Sequence, residues 1–288
     1  MHFADYKTIL SPQNGMNVYR GCTHGCIYCD SRSTCYQMDH DFEDIRIKRD
    51  ADKILDIQLK KRRKKSMIST GAMTDPYLHL EMKYEVTRKC LEVIEKNGFG
   101  VTLLTKSDRV LRDLDLLKTI NKKTKAVVQM TLTIYDDELS QIVEPHVSTT
   151  KERISALHIL KKEGIPTVVW LGPFLPYIND DEENLIAILD ECIKARIKGI
   201  ICFGFGMTLR DGNRQYYYEK LDRYFPGLKE KYQRNYGNSY NIGSPNRTKL
   251  ANILKQTCIK NGILLNKETF EYLGKFDNAV TATQMTLF

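Results

Sequence analysis

The chain has 288 residues, 42% of them hydrophobic, which is enough to bury the core of one α/β barrel or of two smaller domains. Its 44 Lys and Arg against 36 Asp and Glu give a net charge of +8, which permits attraction to nucleic acid without demonstrating it. No apolar run approaches the length of a membrane span, and no secretory leader is evident, so we expect a cytoplasmic protein without a membrane partner. Eight cysteines are too few for a disulfide scaffold, and most should be free thiols or metal ligands.

Apolar, β-rich runs alternate with helical patterns over about two thirds of the chain. The predicted strands are Met16–Tyr19, Ser66–Gly71, Gly100–Thr105, Ala126–Ile134, Pro166–Leu171 and Gly199–Phe205. The predicted helices are Asp52–Lys61, Tyr84–Lys96, Asp108–Ile120, Thr150–Lys162 and Glu182–Arg196, several of them ended by Gly98, Gly164 or Gly199. This alternation predicts a parallel sheet with helices on its outer side.

Six βα units favour an α/β fold of the partial (βα)6, TIM-like type, although an open doubly wound sheet fits the same pattern. After about residue 210 the alternation gives way to a tyrosine-rich, charged stretch. We therefore predict a core barrel over residues 1–210 and a mainly helical cap and tail over residues 211–288. In either fold, ligands bind at the carboxyl ends of the strands, which here carry Thr74, Asp75, Lys106, Ser107, Thr131 and Thr133.

Three cysteines, Cys22, Cys26 and Cys29, have the spacing C-x3-C-x2-C. Three thiolates on one loop suit a 4Fe-4S cube, because each sulfur can bind one iron and the fourth iron stays open for chemistry. Cys35 lies close by, so a four-thiolate zinc site is an alternative. Structural zinc sites usually pair two C-x2-C units, however, and only Cys26 and Cys29 have that spacing.

The cysteine segment Tyr-Arg-Gly-Cys-Thr-His-Gly-Cys-Ile-Tyr-Cys, residues 19–29, resembles the signature of the radical SAM superfamily. Together with Thr-Gly-Ala-Met-Thr-Asp-Pro-Tyr, residues 70–77, it resembles the branch related to spore photoproduct lyase. Within that branch it is similar to the group called radical SAM mobile pair protein B. The resemblance covers nearly the whole chain.

The resemblance implies a barrel of the radical SAM type and a 4Fe-4S cluster held by the three cysteines. The open iron would bind S-adenosylmethionine (SAM), and one electron would cleave SAM to methionine and a 5′-deoxyadenosyl radical that abstracts hydrogen from substrate. The implied partners are an electron donor such as flavodoxin or ferredoxin, DNA or another nucleic acid as substrate, and a second radical SAM protein.

Several residues then fit SAM contacts. Lys106 would neutralise the carboxylate of SAM, and Thr74 and Asp75 would accept from its ammonium group. We expect Tyr28 near the adenine. Ser107, Thr131 and Thr133 are further candidates for cofactor contacts. The alternatives are a surface position for Lys106 and ordinary strand packing for the threonines.

One departure limits the resemblance. Spore photoproduct lyases carry a cysteine before their Ser-Asp, where it returns hydrogen to the substrate radical, but this chain has Gly-Ala-Met-Thr-Asp at residues 71–75. The resemblance therefore does not extend to direct repair of that lesion. Other hydrogen-donor candidates are Cys35, Cys202, Tyr216 and Tyr217, for which the alternative is a buried thiol or a packed aromatic ring.

The last five residues, Gln284–Phe288, resemble the short peptide by which bacterial replication and repair proteins bind the sliding clamp. The alternative is a tail that packs on the barrel. Two other functions compete with the main hypothesis. One is a zinc-stabilised nucleic-acid-binding protein that uses the basic run Lys60–Lys65, and the other is a radical SAM enzyme that modifies a protein or a metabolite.

Overall fold

The computed structural model describes residues 1–276, so the clamp-like peptide Gln284–Phe288 lies outside the described residues. The strands in this part of the chain are β1 His2–Ala4, β2 Gly15–Met16, β3 Tyr19–Arg20, β4 Arg46–Lys48, β5 Met67–Thr70, β6 Gly100–Thr105, β7 Ala126–Leu132, β8 Thr167–Leu171, β9 Gly199–Ile201, β10 Gly206–Thr208, β11 Asn241–Gly243 and β12 Leu264–Leu265. The α-helices are α1 Ala51–Lys60, α2 Glu81–Tyr84, α3 Val86–Lys96, α4 Leu114–Lys123, α5 Asp137–Val143, α6 Thr150–Lys162, α7 Glu182–Lys194, α8 Asn213–Tyr224, α9 Leu228–Tyr236, α10 Arg247–Asn261 and α11 Lys267–Gly274.

Seven parallel strands form the main sheet, in the order β12-β9-β8-β7-β6-β5-β2. Every residue of the central strand β7 is buried, as expected for a strand covered on both faces. The helices that connect successive strands pack on one face, where Leu117, Leu157 and Ile188 join the strand residues in one apolar cluster. The predicted α/β fold of the partial-barrel type is confirmed.

The two faces of the sheet are distinguished by the alternation of side chains along each strand. Leu103, Met130 and Val169 belong to the cluster under the helices. Their neighbours along the chain point to the opposite, concave face, which we call the lumen face. Pairing in register places the following residues on it: Thr102, Leu104, Gln129, Thr131, Val168, Trp170 and Ile201.

The predicted first strand, Met16–Tyr19, is divided between two sheets. β2 pairs with β5 at the edge of the main sheet, whereas β3 joins β1 and β4 in a separate three-stranded sheet. The amide of Lys48 donates to the carbonyl of Val18 at 3.0 Å, so the chain after Met16 pairs with β4 instead of continuing along β5.

Several helix boundaries differ from the predicted ones. Tyr84, predicted to begin a helix, ends α2, and α3 begins at Val86. The segment predicted to be a helix from Asp108 begins as a 3-10 helix, and α4 starts only at Leu114. Gly199 does not end a helix but is the first residue of β9. It is glycine because a Cβ there would lie 2.5 Å from Thr269 Oγ1, whereas Gly98 and Gly164 do have the positive φ of helix ends, +67° and +74°.

The chain after residue 210 is mainly helical but returns to the barrel. β10 and β11 form an antiparallel pair, and β12 adds a seventh strand beside β9. The division of the chain at residue 210 therefore stays a prediction. Among the described residues, no helix is long and apolar enough to cross a membrane.

Candidate active site

The cysteine loop follows β3 and is anchored at several points. The amide of Cys22 donates to the carbonyl of Phe42 at 2.8 Å, and that of Ile27 to the carbonyl of Val143 at 3.0 Å. Gly21 precedes the loop with φ +88°, and a Cβ there would lie 2.5 Å from the Phe42 carbonyl oxygen. The close approach and the positive φ both require glycine at this position.

The donor set of this loop fits an iron-sulfur cluster. Cys22 and Cys26 are buried and Cys29 is half-buried. Burial raises the pKa of Cys22 to about 12 and raises the pKa of Cys26 as well, so both thiols stay protonated without a positive partner. Cationic irons supply such a partner and stabilise the thiolates. Nearby, His24 is 2% exposed and its Nε2 has no hydrogen-bond partner among the described residues, which fits a polar group beside the loop.

The alternative zinc site finds no support in this geometry. Cys35 is exposed, and its sulfur accepts from Arg210 Nη1 at 3.1 Å. Within residues 1–276, no group of three or more His, Cys, Asp or Glu side chains is arranged to hold a metal ion. The ligands of a zinc ion must all converge on one point. In a 4Fe-4S cluster each thiolate binds its own iron, so the three sulfurs need not converge in this way.

Lys106 lies at the carboxyl end of β6, on the lumen face, with its Nζ 5.8 Å from the centre of the Tyr28 ring. Burial alone would lower its pKa, but Cys26 in its thiolate form and the Glu144 carboxylate outweigh this effect and raise the pKa above its usual value. Lys106 is thus a fixed positive charge beside the cysteine loop, which an anionic group of a ligand can neutralise.

The carboxylate of Asp75 holds this strand end in place. Its Oδ1 accepts from the Thr105 hydroxyl at 2.7 Å and from the Tyr77 amide at 2.8 Å. Its Oδ2 accepts from the Lys106 amide at 2.7 Å and lies 3.7 Å from His24 Nδ1. Asp75 therefore connects the ends of β5 and β6 and sets the position from which the Lys106 side chain extends.

A fully buried ion pair lies beneath the loop. Arg153 Nη2 donates to Glu144 Oε2 at 2.8 Å, and both side chains are fully buried. The other carboxylate oxygen of Glu144 accepts from the Tyr28 hydroxyl and, at 3.2 Å, from that of Thr133. Burial alone would raise the pKa of Glu144, but Arg153 and Lys106 outweigh it and hold the pKa below its usual range. This network fixes the orientation of Tyr28 next to Cys29.

The remaining predicted contact residues are buried at the same strand ends. Thr74 is 7% exposed and Thr131 is 5% exposed. Ser107 has a structural task, because its hydroxyl caps the 3-10 helix by accepting from the Arg109 amide at 3.3 Å.

The model of the Radical SAM superfamily matches residues 16–189, more than half of the chain. The chain belongs to this superfamily. The cofactors of the superfamily, a 4Fe-4S cluster and SAM, are therefore the cofactors of this protein.

Similar proteins with curated sequences carry no described function. An uncharacterized protein of Mycobacterium tuberculosis is 28% identical over 227 residues, which is 77% of this chain and 66% of that protein. An uncharacterized protein of Methanocaldococcus jannaschii is 30% identical over 169 residues, or 58% of this chain and 62% of that protein. The chain thus spans about two thirds of the length of these relatives.

Solved structures share the fold of this radical SAM protein. Spore photoproduct lyase with bound AdoMet and dinucleoside spore photoproduct has a TM-score of 0.64 at 14% identity, covering 86% of this chain and 74% of the lyase. Streptococcus suis SuiB bound to S-adenosylmethionine has a TM-score of 0.50 at 13% identity, covering 86% of this chain and 49% of SuiB.

The four hydrogen-donor candidates of this radical SAM protein lie in different surroundings. Tyr216 is half-buried and stacks on the Arg32 guanidinium at 3.9 Å, and burial raises its pKa against the opposing charge of Arg32. Cys202 belongs to the cluster under the helices, on the side away from the lumen. Tyr217 is fully buried and donates to the Tyr232 hydroxyl at 3.0 Å. Cys35, as noted above, is exposed.

Glu144 and Arg153 belong to the candidate site but were missed by sequence reasoning. Arg153 did carry a signal, because it shares the buried face of α6 with Ala156, Leu157 and Leu160. A charge on the apolar face of an amphipathic helix needs a buried partner. Glu144 follows α5, a short helix that was not predicted, and it carried no comparable signal.

The basic run Lys60–Lys65 lies away from this site. It spans the end of α1 and the loop that leads to the amino end of β5. The cysteine loop and Lys106 gather instead at the carboxyl ends of the strands. The run is therefore at the opposite end of the barrel from the site.

Proposed function

We propose that this protein is a radical SAM enzyme of the spore-photoproduct-lyase-like branch, close to radical SAM mobile pair protein B, that abstracts hydrogen from a nucleic acid. The observation that carries the proposal is that the loop bearing the three thiols lies beside Lys106 and the buried Glu144–Arg153 pair at one end of the barrel. The similarity in fold to spore photoproduct lyase supports the branch.

The cysteines Cys22, Cys26 and Cys29 would hold the cluster, and the superfamily chemistry supplied when cluster and SAM are bound is reductive cleavage of SAM to a carbon radical. The chain itself binds and shields. Lys106 would pair with the SAM carboxylate. Asp75 would act on SAM chiefly by fixing Lys106, since both of its oxygens already accept hydrogen bonds.

The other proposed SAM contacts would bind different parts of the SAM molecule. Tyr28, held by Glu144, would lie against the adenine, and Thr74 would accept from the ammonium group of SAM. Thr131 would face the ribose from the lumen side of β7, whereas Thr133 would act through its hydrogen bond to Glu144. Ser107 supports these groups through the cap that it forms. Tyr216 is the hydrogen-donor candidate we favour, because it stacks on Arg32, which follows the cysteine loop.

The distribution of charge supports a nucleic acid substrate. Residues 211–276 contain twelve Lys and Arg but only six Asp and Glu, so most of the net charge of +8 lies in this segment. Its helices α8 and α9 carry six Lys and Arg against three Asp and Glu, and α8 begins beside the cysteine loop, because Gly212 lies against the backbone of Arg32 and Thr34. The end of the segment, at Lys275, lies instead by Lys125 at the amino end of β7. A basic surface beside the reaction centre attracts phosphate groups. The protein would also need an electron donor such as flavodoxin or ferredoxin, and a second radical SAM protein is a proposed partner.

The test is SAM cleavage by protein reconstituted with iron and sulfide without oxygen. With dithionite as reductant, the intact chain should form 5′-deoxyadenosine, and Cys26→Ala should reduce this product to background. Cys35→Ala is the matched control and should cleave SAM normally, because Cys35 is exposed and bonded to Arg210. Loss of activity in both variants, together with one zinc per chain, would support the zinc alternative.

The substrate class is tested separately by deuterium transfer. Perdeuterated single-stranded DNA or RNA should transfer deuterium into 5′-deoxyadenosine. Transfer from a deuterated peptide or metabolite extract, and none from nucleic acid, would reject the nucleic acid substrate while leaving the radical chemistry intact.

A further inference from the structure

Three aromatic side chains lie together on the lumen side of the sheet. Trp170 is in β8, Phe203 follows β9 and Phe270 is in α11. The ring centroids of Trp170 lie 5.4 Å from Phe203 and 6.4 Å from Phe270, and those of the two phenylalanines are 6.1 Å apart. We call these three residues the aromatic platform.

The platform is open to solvent. Phe203 is 78% exposed and Phe270 is 43% exposed. Burial of a phenylalanine stabilises a fold by about 1.5–3 kcal/mol, and Phe203 does not contribute this energy to the core. Trp170 Nε1 donates to Gln129 Oε1 at 2.7 Å, which fixes the orientation of the indole ring. The rings are thus preorganised while their exposed faces remain available to a ligand.

The platform shares its face with the proposed SAM contacts. In the register of the sheet, Trp170 is the direct neighbour of Thr131 on β7. Lys106 lies on the same face, two residues beyond Leu104. Ser69 on β5 also faces the lumen and is exposed even though its strand lies inside the sheet, so this cavity is open. A group bound on the platform would lie in the same cavity as SAM.

We propose that the aromatic platform stacks a base of the nucleic acid substrate and thereby holds the substrate in the lumen. This inference rests on the proposed function. Every base offers a planar π face, and stacking on an aromatic side chain contributes about 1–3 kcal/mol per base. Phe270 belongs to the positively charged segment 211–276, and this charge favours a base on a phosphate chain over an aromatic side chain of a peptide, which carries no such polyanion.

Trp170 is the only tryptophan of the chain, so its fluorescence reports directly on the platform. Titration of the reconstituted protein with a thymidine hexanucleotide should quench this emission to saturation. Phe203→Ala should weaken the affinity about tenfold or more, which corresponds to the stacking of one base. Phe203→Leu keeps an apolar side chain without a π face and should weaken it similarly, so the test survives if the alanine variant misfolds.

The matched control is Phe3→Ala. Phe3 is 41% exposed, and its ring contacts Tyr84 and Arg49 in the separate amino-terminal sheet, so the affinity should not change. SAM cleavage without substrate should stay at the level of the intact chain in all variants, because the platform is not part of the SAM contacts.

Three results would overturn the platform. The first is that the hexanucleotide leaves the Trp170 emission unchanged. The second is that a phenylalanine-containing hexapeptide quenches the emission and the hexanucleotide does not. The third is that both Phe203 variants bind the hexanucleotide as tightly as the intact chain. None of these results depends on SAM cleavage. Failure of the intact chain to form 5′-deoxyadenosine would instead reject the proposed function.

Discussion

At the scale of single residues, the site depends on charges that lie outside the cysteine motif. Lys106 is a positive group whose pKa is raised by its neighbours, and its amide is fixed by Asp75. Lys106→Met should lower the affinity for SAM about 10- to 100-fold, because a hydrogen bond to a charged group contributes about 1.5–3 kcal/mol. The measurement is equilibrium binding of SAM to reconstituted protein with unchanged iron content. Lys118→Met, which removes only a surface pair with Glu163, serves as control, and equal affinity in both variants would contradict this role.

Glu144 gives a prediction on stability. Glu144→Gln leaves Arg153 buried without a counter-charge. It should lower the free energy of unfolding by about 3–5 kcal/mol and the Tm by on the order of 10 °C. Glu163→Gln, at an exposed pair, should cost less than about 1 kcal/mol. Calorimetry of both variants checks this difference.

The difference in stability between the intact chain and Glu144→Gln should depend on pH in a way that follows from the lowered pKa of Glu144. A carboxyl whose pKa is lower in the folded protein stabilises the fold above its unfolded pKa of about 4.3, and this contribution is lost as pH falls through the folded value. The difference between the intact chain and Glu144→Gln should therefore be constant from pH 5 to pH 8. A difference that shrinks steadily within this window would show that Glu144 is not held ionised by Arg153.

At the scale of secondary structure elements, the spacing of β5 and β6 depends on Gly71. Its φ is +100°, and a Cβ there would lie 1.9 Å from the Leu104 carbonyl oxygen, so Gly71→Ala must separate the strand ends that carry Asp75 and Lys106. We expect Gly71→Ala to lower the free energy of unfolding by more than about 2 kcal/mol and to weaken SAM binding. Gly98→Ala has a similar φ of +67° but meets nothing within 4 Å, so it should cost only about 1–2 kcal/mol and leave SAM binding unchanged. Urea unfolding and SAM binding of the two variants provide the comparison.

The elements also show how far sequence reasoning reaches. The cysteine loop and the parallel strands were predictable, because a short spacing and continuous apolar runs such as Ala126–Leu132 are local patterns. The division of Met16–Tyr19 between two sheets was not, because it depends on pairing with β4, almost thirty residues later. The Glu144–Arg153 pair and the two-residue strand β12 depend on tertiary contacts in the same way.

At the scale of the whole molecule, the two basic surfaces lie at opposite ends of the barrel. The double substitution Arg223→Gln and Arg234→Gln removes two exposed charges from α8 and α9 and should weaken binding to single-stranded DNA and reduce its salt dependence. The matched pair Lys61→Gln and Arg62→Gln, at the amino end of β5, should have little effect. Affinities measured between 50 and 200 mM salt, roughly the range over which phosphate contacts are screened, distinguish the two surfaces. A larger effect of the second pair would place the nucleic acid at the wrong end of the barrel for the proposed reaction.

The central claim is that three thiols hold a cluster with one iron open to SAM. Electron paramagnetic resonance of the dithionite-reduced, reconstituted protein tests it most directly. The spectrum should show a reduced 4Fe-4S cluster whose g values shift when SAM is added, and the signal should be absent in Cys26→Ala but present in Cys35→Ala. A cluster spectrum that SAM leaves unchanged, or a protein that forms no cluster, would contradict the account.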